Sequence, residues 1–131
     1  MTIALDGLLF PILGKLEYSS TIDQSSLASM RVIAKRTLRQ FWEQPGREDA
    51  KSALEAWHDV VLKAQWLTPS DVKQQFGNAS ICANNRVVFN IAGNKYRLVV
   101  EMQYRAGIAW VKFVGTHAEY DQVDVETINE H

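Results

Sequence analysis

RVVFNIAGNKYRLVVEMQYRAGIAWVKFVGTHAEYD, residues 86–121, holds three β-type runs in succession, separated by Gly93-Asn94 and Ala106-Gly107. In the first, Val87, Phe89 and Ile91 alternate with Arg86, Val88 and Asn90. In the second, Tyr96, Leu98, Val100, Met102 and Tyr104 share one face, while Lys95, Arg97, Val99, Glu101 and Gln103 share the other. A period of two with one apolar face predicts an antiparallel meander with a core side and a wet side. Gly93-Asn94 reads as a two-residue hairpin turn. The third run, Ile108 to Val114, leads into Gly-Thr-His-x-Glu-Tyr-Asp at 115–121.

Upstream, the period changes. Leu38, Phe41 and Trp42 mark a short amphipathic helix that carries Lys35, Arg36 and Arg39 as a basic cluster on its polar side. Ala50, Ala53, Leu54, Trp57, Val60, Val61 and Ala64 recur at helical spacing in a longer one, with acids at its start, where the helix dipole favours them. Thr68-Pro69-Ser70-Asp71 is a helix start, with Thr at the N-cap, Pro at N1 and an acid at N3, and Gly77-Asn78 ends that helix. Residues 31–34 read as a first short strand. The expectation is an α+β fold: a small antiparallel β-sheet with two to three helices packed on one face.

At 131 residues, 47% of them hydrophobic, the chain can bury one core. The domain is expected over residues 30–131, beginning at Met30. Residues 1–29 contain a Ser-rich stretch and read as an N-terminal extension or linker. Their apolar segment, Leu8 to Leu13, is too short to span a bilayer and would be costly to leave wet. Asp6, with no Lys or Arg before that segment, argues against a signal peptide. One cysteine, Cys82, leaves no intramolecular disulfide and fits a reducing, cytoplasmic setting. It sits in an apolar run and reads as a small core residue. No glycine-rich phosphate loop and no zinc spacing is present, and no cofactor or metal is expected.

Charge is unevenly spread. Residues 1–29 hold one Lys against three acids (−2), residues 30–117 hold 13 Lys and Arg against seven acids (+6), and residues 118–131 hold five acids and no Lys or Arg (−5). The basic body points to an anionic partner. Cutting RNA without a metal requires a base for the 2′-OH proton, cations for the phosphorane and an acid for the leaving 5′-oxygen. Histidine exchanges protons near neutral pH, so His117 can serve as base or acid. Arg97 and Lys95 suit phosphate as a fork and a point charge. Tyr120 can stack a base or carry a proton. Lys112, Arg86, Arg36 and Arg39 are candidate RNA contacts, with the face of Lys112 depending on strand register. His58, beside the apolar stripe of the second helix, reads as a core-edge histidine.

The pattern NNRVVFNIxGNKYRLVVxxxY…VxFVGTHAEYD, with Trp57 and the Thr-Pro-Ser-Asp-Val-Lys segment at 68–73, resembles the HigB family of type II toxins, within the RelE-like superfamily. The similarity runs from Met30 to about Val125. The resemblance implies a toxin that enters the ribosomal A site and cuts the mRNA there as a metal-independent endoribonuclease. It implies neutralisation by a HigA-type antitoxin with a helix-turn-helix domain, and operator DNA bound only through that antitoxin. Carried over residue by residue, it selects His117, Arg97, Lys95 and Tyr120 as catalytic. The acidic tail has no counterpart in that picture. The alternative is a module that binds RNA, the ribosome or the antitoxin and cuts nothing.

Overall fold

The meander forms the middle of a five-stranded sheet. The computed structural model of the chain describes residues 29–129. Its elements are β1 (Arg31–Ile33), α1 (Lys35–Trp42), a 3-10 turn (Glu48–Ala50), α2 (Lys51–Lys63), α3 (Pro69–Gln75), β2 (Ser80–Ile81), β3 (Arg86–Ile91), β4 (Tyr96–Gln103), β5 (Ile108–Thr116) and α4 (His117–Tyr120). The strand order is β1-β5-β4-β3-β2. All pairs are antiparallel except β1 with β5, which is parallel. That exception follows from chain path: α1, α2 and α3 lie between β1 and the meander, and an intervening helix layer permits parallel return. The expected extension lies outside the described residues apart from Ser29, and so does the apolar segment at 8–13.

The three main helices cover one sheet face. Leu38, Phe41 and Trp42 of α1 and Leu54, Trp57 and Val61 of α2 are buried against Val87, Phe89, Ile91, Tyr96, Leu98, Val100 and Met102. Phe89 is the hub. Its ring lies edge-on to Trp57 at 5.4 Å and to Phe76 at 5.1 Å, and stacks with Trp66 at 6.4 Å. Trp66 donates its Nε1 hydrogen to Gln75 Oε1 at 2.9 Å, so its polar atom is satisfied within the cluster. The helix start at Thr68 is as expected. Thr68 Oγ1 accepts from Asp71 N while Asp71 Oδ2 accepts from Thr68 N, a reciprocal capping box with Pro at the first turn.

The second sheet face differs from expectation. It is not wet. Val88, Val99 and Phe113 form a smaller core there, covered by Tyr120, Val123, Val125 and Ile128 of the C-terminal segment and by Cys82. The strict alternation placed Val99 among Lys95, Arg97, Glu101 and Gln103 as solvent-facing, yet Val99 is fully buried. The acidic tail supplies the apolar cover because its Val and Ile recur between the acids. The register also fixes the face of Lys112. Val99 pairs with Phe113 and Val100 with Val111, so Lys112 is the extra residue of a bulge in β5. The bulge turns Lys112 to the same face as Phe113. The hairpin between β3 and β4 is also longer than two residues. Ile91 pairs with Tyr96, leaving a four-residue connection in which Ala92 and Gly93 take positive φ (54° and 69°).

Phe89→Ala is expected to cost about 3–5 kcal/mol of stability, because three aromatic neighbours cannot collapse into the space. Leu67→Ala, at a side chain 73% exposed, is expected to stay within about 0.5 kcal/mol of the parent. Urea unfolding of the two variants beside the parent checks both.

Candidate functional site

The end of β5 turns into α4 at Thr116. Its hydroxyl accepts from Glu119 N at 3.2 Å, and Glu119 Oε1 accepts from Thr116 N at 2.9 Å. This capping box sets His117 at the first helical position and Tyr120 at the last. The His117 side chain is 53% exposed, and its Nδ1 lies 3.3 Å from Asp121 Oδ2. The two rings of His117 and Tyr120 are 6.3 Å apart, edge to face. Tyr120 is half-buried on the second core.

Arg97 lies under the Tyr120 ring. It pairs across the sheet with Gly115, where the Phe113 ring and the Glu119 carboxylate fill the space a side chain would take. Its guanidinium carbon is 6.0 Å from the centre of the Tyr120 ring. Arg97 Nη1 donates to the carbonyl oxygens of Asn94 (3.0 Å) and Tyr96 (3.3 Å). No carboxylate pairs with Arg97 among the described residues. Among the described residues its charge is met by carbonyl oxygens alone. Burial pushes the Tyr120 hydroxyl above the usual phenol range, with Arg97 pulling the other way. At neutral pH Tyr120 holds its proton and can donate it.

Lys95 is one step further out and is committed. It bonds Asp49 of the 3-10 turn, and Tyr96 Oη donates to the other oxygen of that carboxylate at 2.5 Å. Hydrogen bonds from Lys95 and then Tyr96 hold the Asp49 carboxyl below its ordinary range, and the same partner raises the Lys95 ammonium. Two residues before Asp49, Arg47 Nη2 donates to Glu119 Oε2 at 2.6 Å, while its guanidinium lies 4.8 Å from the centre of the Phe41 ring. That bond, followed by the capping contacts, lowers the Glu119 carboxyl. Arg47 and Asp49 were not singled out in the sequence. Their partners lie 72 and 46 residues away, and no local spacing signals such contacts.

The remaining cations fall elsewhere. Arg86 and Lys112 are buried, at 7% and 8% exposure, about four residues along the sheet from Arg97 (roughly 13 Å by strand rise). Arg86 donates Nε to Val125 O, Nη1 to Asn84 O and Nη2 to Ile128 O. Lys112 bonds Asn129 Oδ1, and Glu101 lies 3.3 Å from Arg86 and 3.4 Å from Lys112. Both expected RNA contacts thus hold the C-terminal segment onto the sheet. Arg36 and Arg39 are exposed on α1, across the sheet from Arg97. His58 is buried at 8% exposure, and burial lowers its pKa, so it stays neutral within the core edge. Burial raises the Cys82 thiol, which suits a packing role. Among the described residues, no group of three or more His, Cys, Asp or Glu is arranged to hold a metal ion.

A family model described as HigB_toxin, RelE-like toxic component of a toxin-antitoxin system, matches residues 50–123, more than half of the chain. The chain belongs to the HigB toxin family. This HigB-type toxin is the toxic component of a toxin–antitoxin system, and an antitoxin is its counterpart. The matched span takes in Lys95, Arg97, His117 and Tyr120 of the toxin, and leaves out α1 with Arg36 and Arg39. No curated protein matches the chain. No helix among the described residues of the toxin is long and apolar enough to cross a membrane.

Glu119→Gln keeps the acceptor of the capping box and removes the charge that Arg47 binds. The Glu119 carboxyl is depressed in the folded state, so its contribution is present above the unfolded carboxylate range and is lost as pH falls through the folded value. The pair is half-exposed and screened, so the parent is expected to exceed the variant by about 0.5 kcal/mol at neutral pH. Urea unfolding of both proteins at stepped pH should show that gap closing on acidification below about pH 4.

Proposed function

We propose that this toxin is an endoribonuclease that cuts mRNA in the ribosomal A site without a metal, and that residues 30–131 form the cutting domain. The observation that carries the reading is the Arg97 guanidinium 6.0 Å from the Tyr120 ring, with no carboxylate partner among the described residues, and the His117 ring edge-on to that same tyrosine at 6.3 Å. These three side chains match the three requirements of RNA cleavage by its own 2′-hydroxyl. His117 takes the proton of the 2′-OH as that oxygen forms its bond to phosphorus. Arg97 stabilises the added negative charge on the phosphorane. Tyr120, kept protonated by burial, gives its proton to the 5′-oxygen as the P–O5′ bond breaks. The products are a 2′,3′-cyclic phosphate and a 5′-hydroxyl end.

The openness of the site supports dependence on the ribosome. His117 stands on the surface at 53% side-chain exposure. An open platform pays the full cost of ordering a flexible strand. mRNA already stretched through the decoding site removes much of that cost. Arg36 and Arg39, exposed on α1 with no ion pair among the described residues, suit the phosphates of ribosomal RNA. The proposed counterpart is a HigA-type antitoxin that carries the operator contacts of the pair.

Expression without antitoxin is expected to arrest growth, and new 5′ ends should map within translated codons. Arg97→Ala should slow cleavage by about a hundredfold or more, and His117→Ala by about 10²–10⁴-fold. Lys95→Ala should lose less than Arg97→Ala, since Asp49 already offsets the Lys95 charge. Growth arrest with no new mRNA ends would refute cutting and favour a module that only binds. Full toxicity of both Arg97→Ala and His117→Ala at equal expression would refute the assignment of the site.

A further inference from the structure

We propose that Arg47 and Glu119 are positioning residues: their ion pair, closed over the space left by Gly115, fixes α4 and with it the directions of His117 and Tyr120. This rests on the cleavage reading above.

α4 has four residues, too few to hold a helical conformation by themselves. Its orientation must come from outside. Glu119 sits between His117 and Tyr120 in sequence and uses both carboxylate oxygens. Oε1 accepts from Thr116 N at 2.9 Å, closing the turn locally, and Oε2 accepts from Arg47 Nη2 at 2.6 Å, tying the turn to the connection between α1 and α2. Arg47 is itself anchored, with its guanidinium 4.8 Å from the centre of Phe41, a ring 3% exposed that packs edge-on to Tyr96 at 5.3 Å. The chain of contacts therefore runs from the main core to α4.

Gly115 makes that closure possible. A Cβ at this position would lie 2.8 Å from Glu119 Oε1 and 2.5 Å from Phe113 Cζ. Neither the carboxylate nor the ring could keep its place. Asp49 grips Lys95 and Tyr96 from the same connection, two residues along from Arg47. The connection is thus pinned independently, and Arg47 acts on α4 from a fixed base. Exposed ion pairs add little to global stability. The effect of this one falls on geometry instead.

The test uses the full chain with ribosomes carrying a defined mRNA, in single turnover. Arg47→Met keeps an apolar stem over Phe41, and Glu119→Gln keeps the capping acceptor. Each is expected to lower the rate at saturation by about tenfold to a hundredfold, the loss that a small misplacement of reacting groups produces. The ribosome concentration giving half the maximal rate should stay near that of the parent. The double variant should be no slower than the slower single one, because both remove the same bond. Amide exchange at residues 117–121 should quicken in the variants while β4 stays protected. Parent-like rates, unaltered exchange, or losses that multiply in the double variant would each overturn the proposal. If the parent chain leaves mRNA uncut, the cleavage reading fails separately, and the exchange data alone decide the clamp: quickened exchange sustains it and unchanged exchange overturns it.

Discussion

The pairing of β4 with β5 sets where Arg97 and the turn carrying His117 and Tyr120 stand. Tyr96 pairs with Thr116 and Arg97 with Gly115 at one end, and Gln103 with Ile108 at the other. A slip of one residue would turn Leu98 and Val100 away from the helices and bring Val99 toward them. It would also take Arg97 from under Tyr120. Two cores enforce the register at once, since Leu98 and Val100 are buried on the helix side and Val99 on the other. The bulge at Lys112 lets one strand satisfy both. Without it, Phe113 and Val111 could not each meet a partner on the proper face.

Much of this was legible in the sequence, because it depends on local periodicity. The three strands, the capping box at Thr68 and the helix stripe around Trp57 are all written in spacing of two or of three to four. The motifs that carry the family resemblance pointed to Arg97, His117 and Tyr120, and Tyr120 stands near each of the other two. Other features escaped for definite reasons. Val88 and Val99 looked like breaks in a wet face because their cover comes from Val123, Val125 and Ile128, which local composition presents as an acidic tail. Arg47 and Asp49 gave no signal, since each acts on a residue far along the chain. The face of Lys112 hung on a single inserted residue, which alternation cannot reveal.

The cations separate into three groups by the company they keep. Arg86 and Lys112 share Glu101 in a buried cluster and hold protein to protein. Lys95 and Arg47 each face one carboxylate at the rim of the sheet. Arg97, Arg36 and Arg39 face none among the described residues. Net charge by segment blurs these groups together. The count of +6 over residues 30–117 already subtracts Glu101 and Asp49, and of the carboxylates named here only Glu119, which faces Arg47, lies outside that span.

The grip of Arg86 has a consequence for how this sequence can drift. Its guanidinium holds the main-chain oxygens of Asn84, Val125 and Ile128. A carbonyl is present whatever side chain stands beside it. Glu126 and Thr127 can therefore be exchanged over generations without loosening the fastening, provided Val125 and Ile128 keep their apolar bulk. The tail is anchored by its backbone, by the Asn129 side chain on Lys112 and by a few greasy teeth, and its outward letters are left open to variation. Arg86 has no such freedom, because lysine cannot reach three carbonyls with one planar fork.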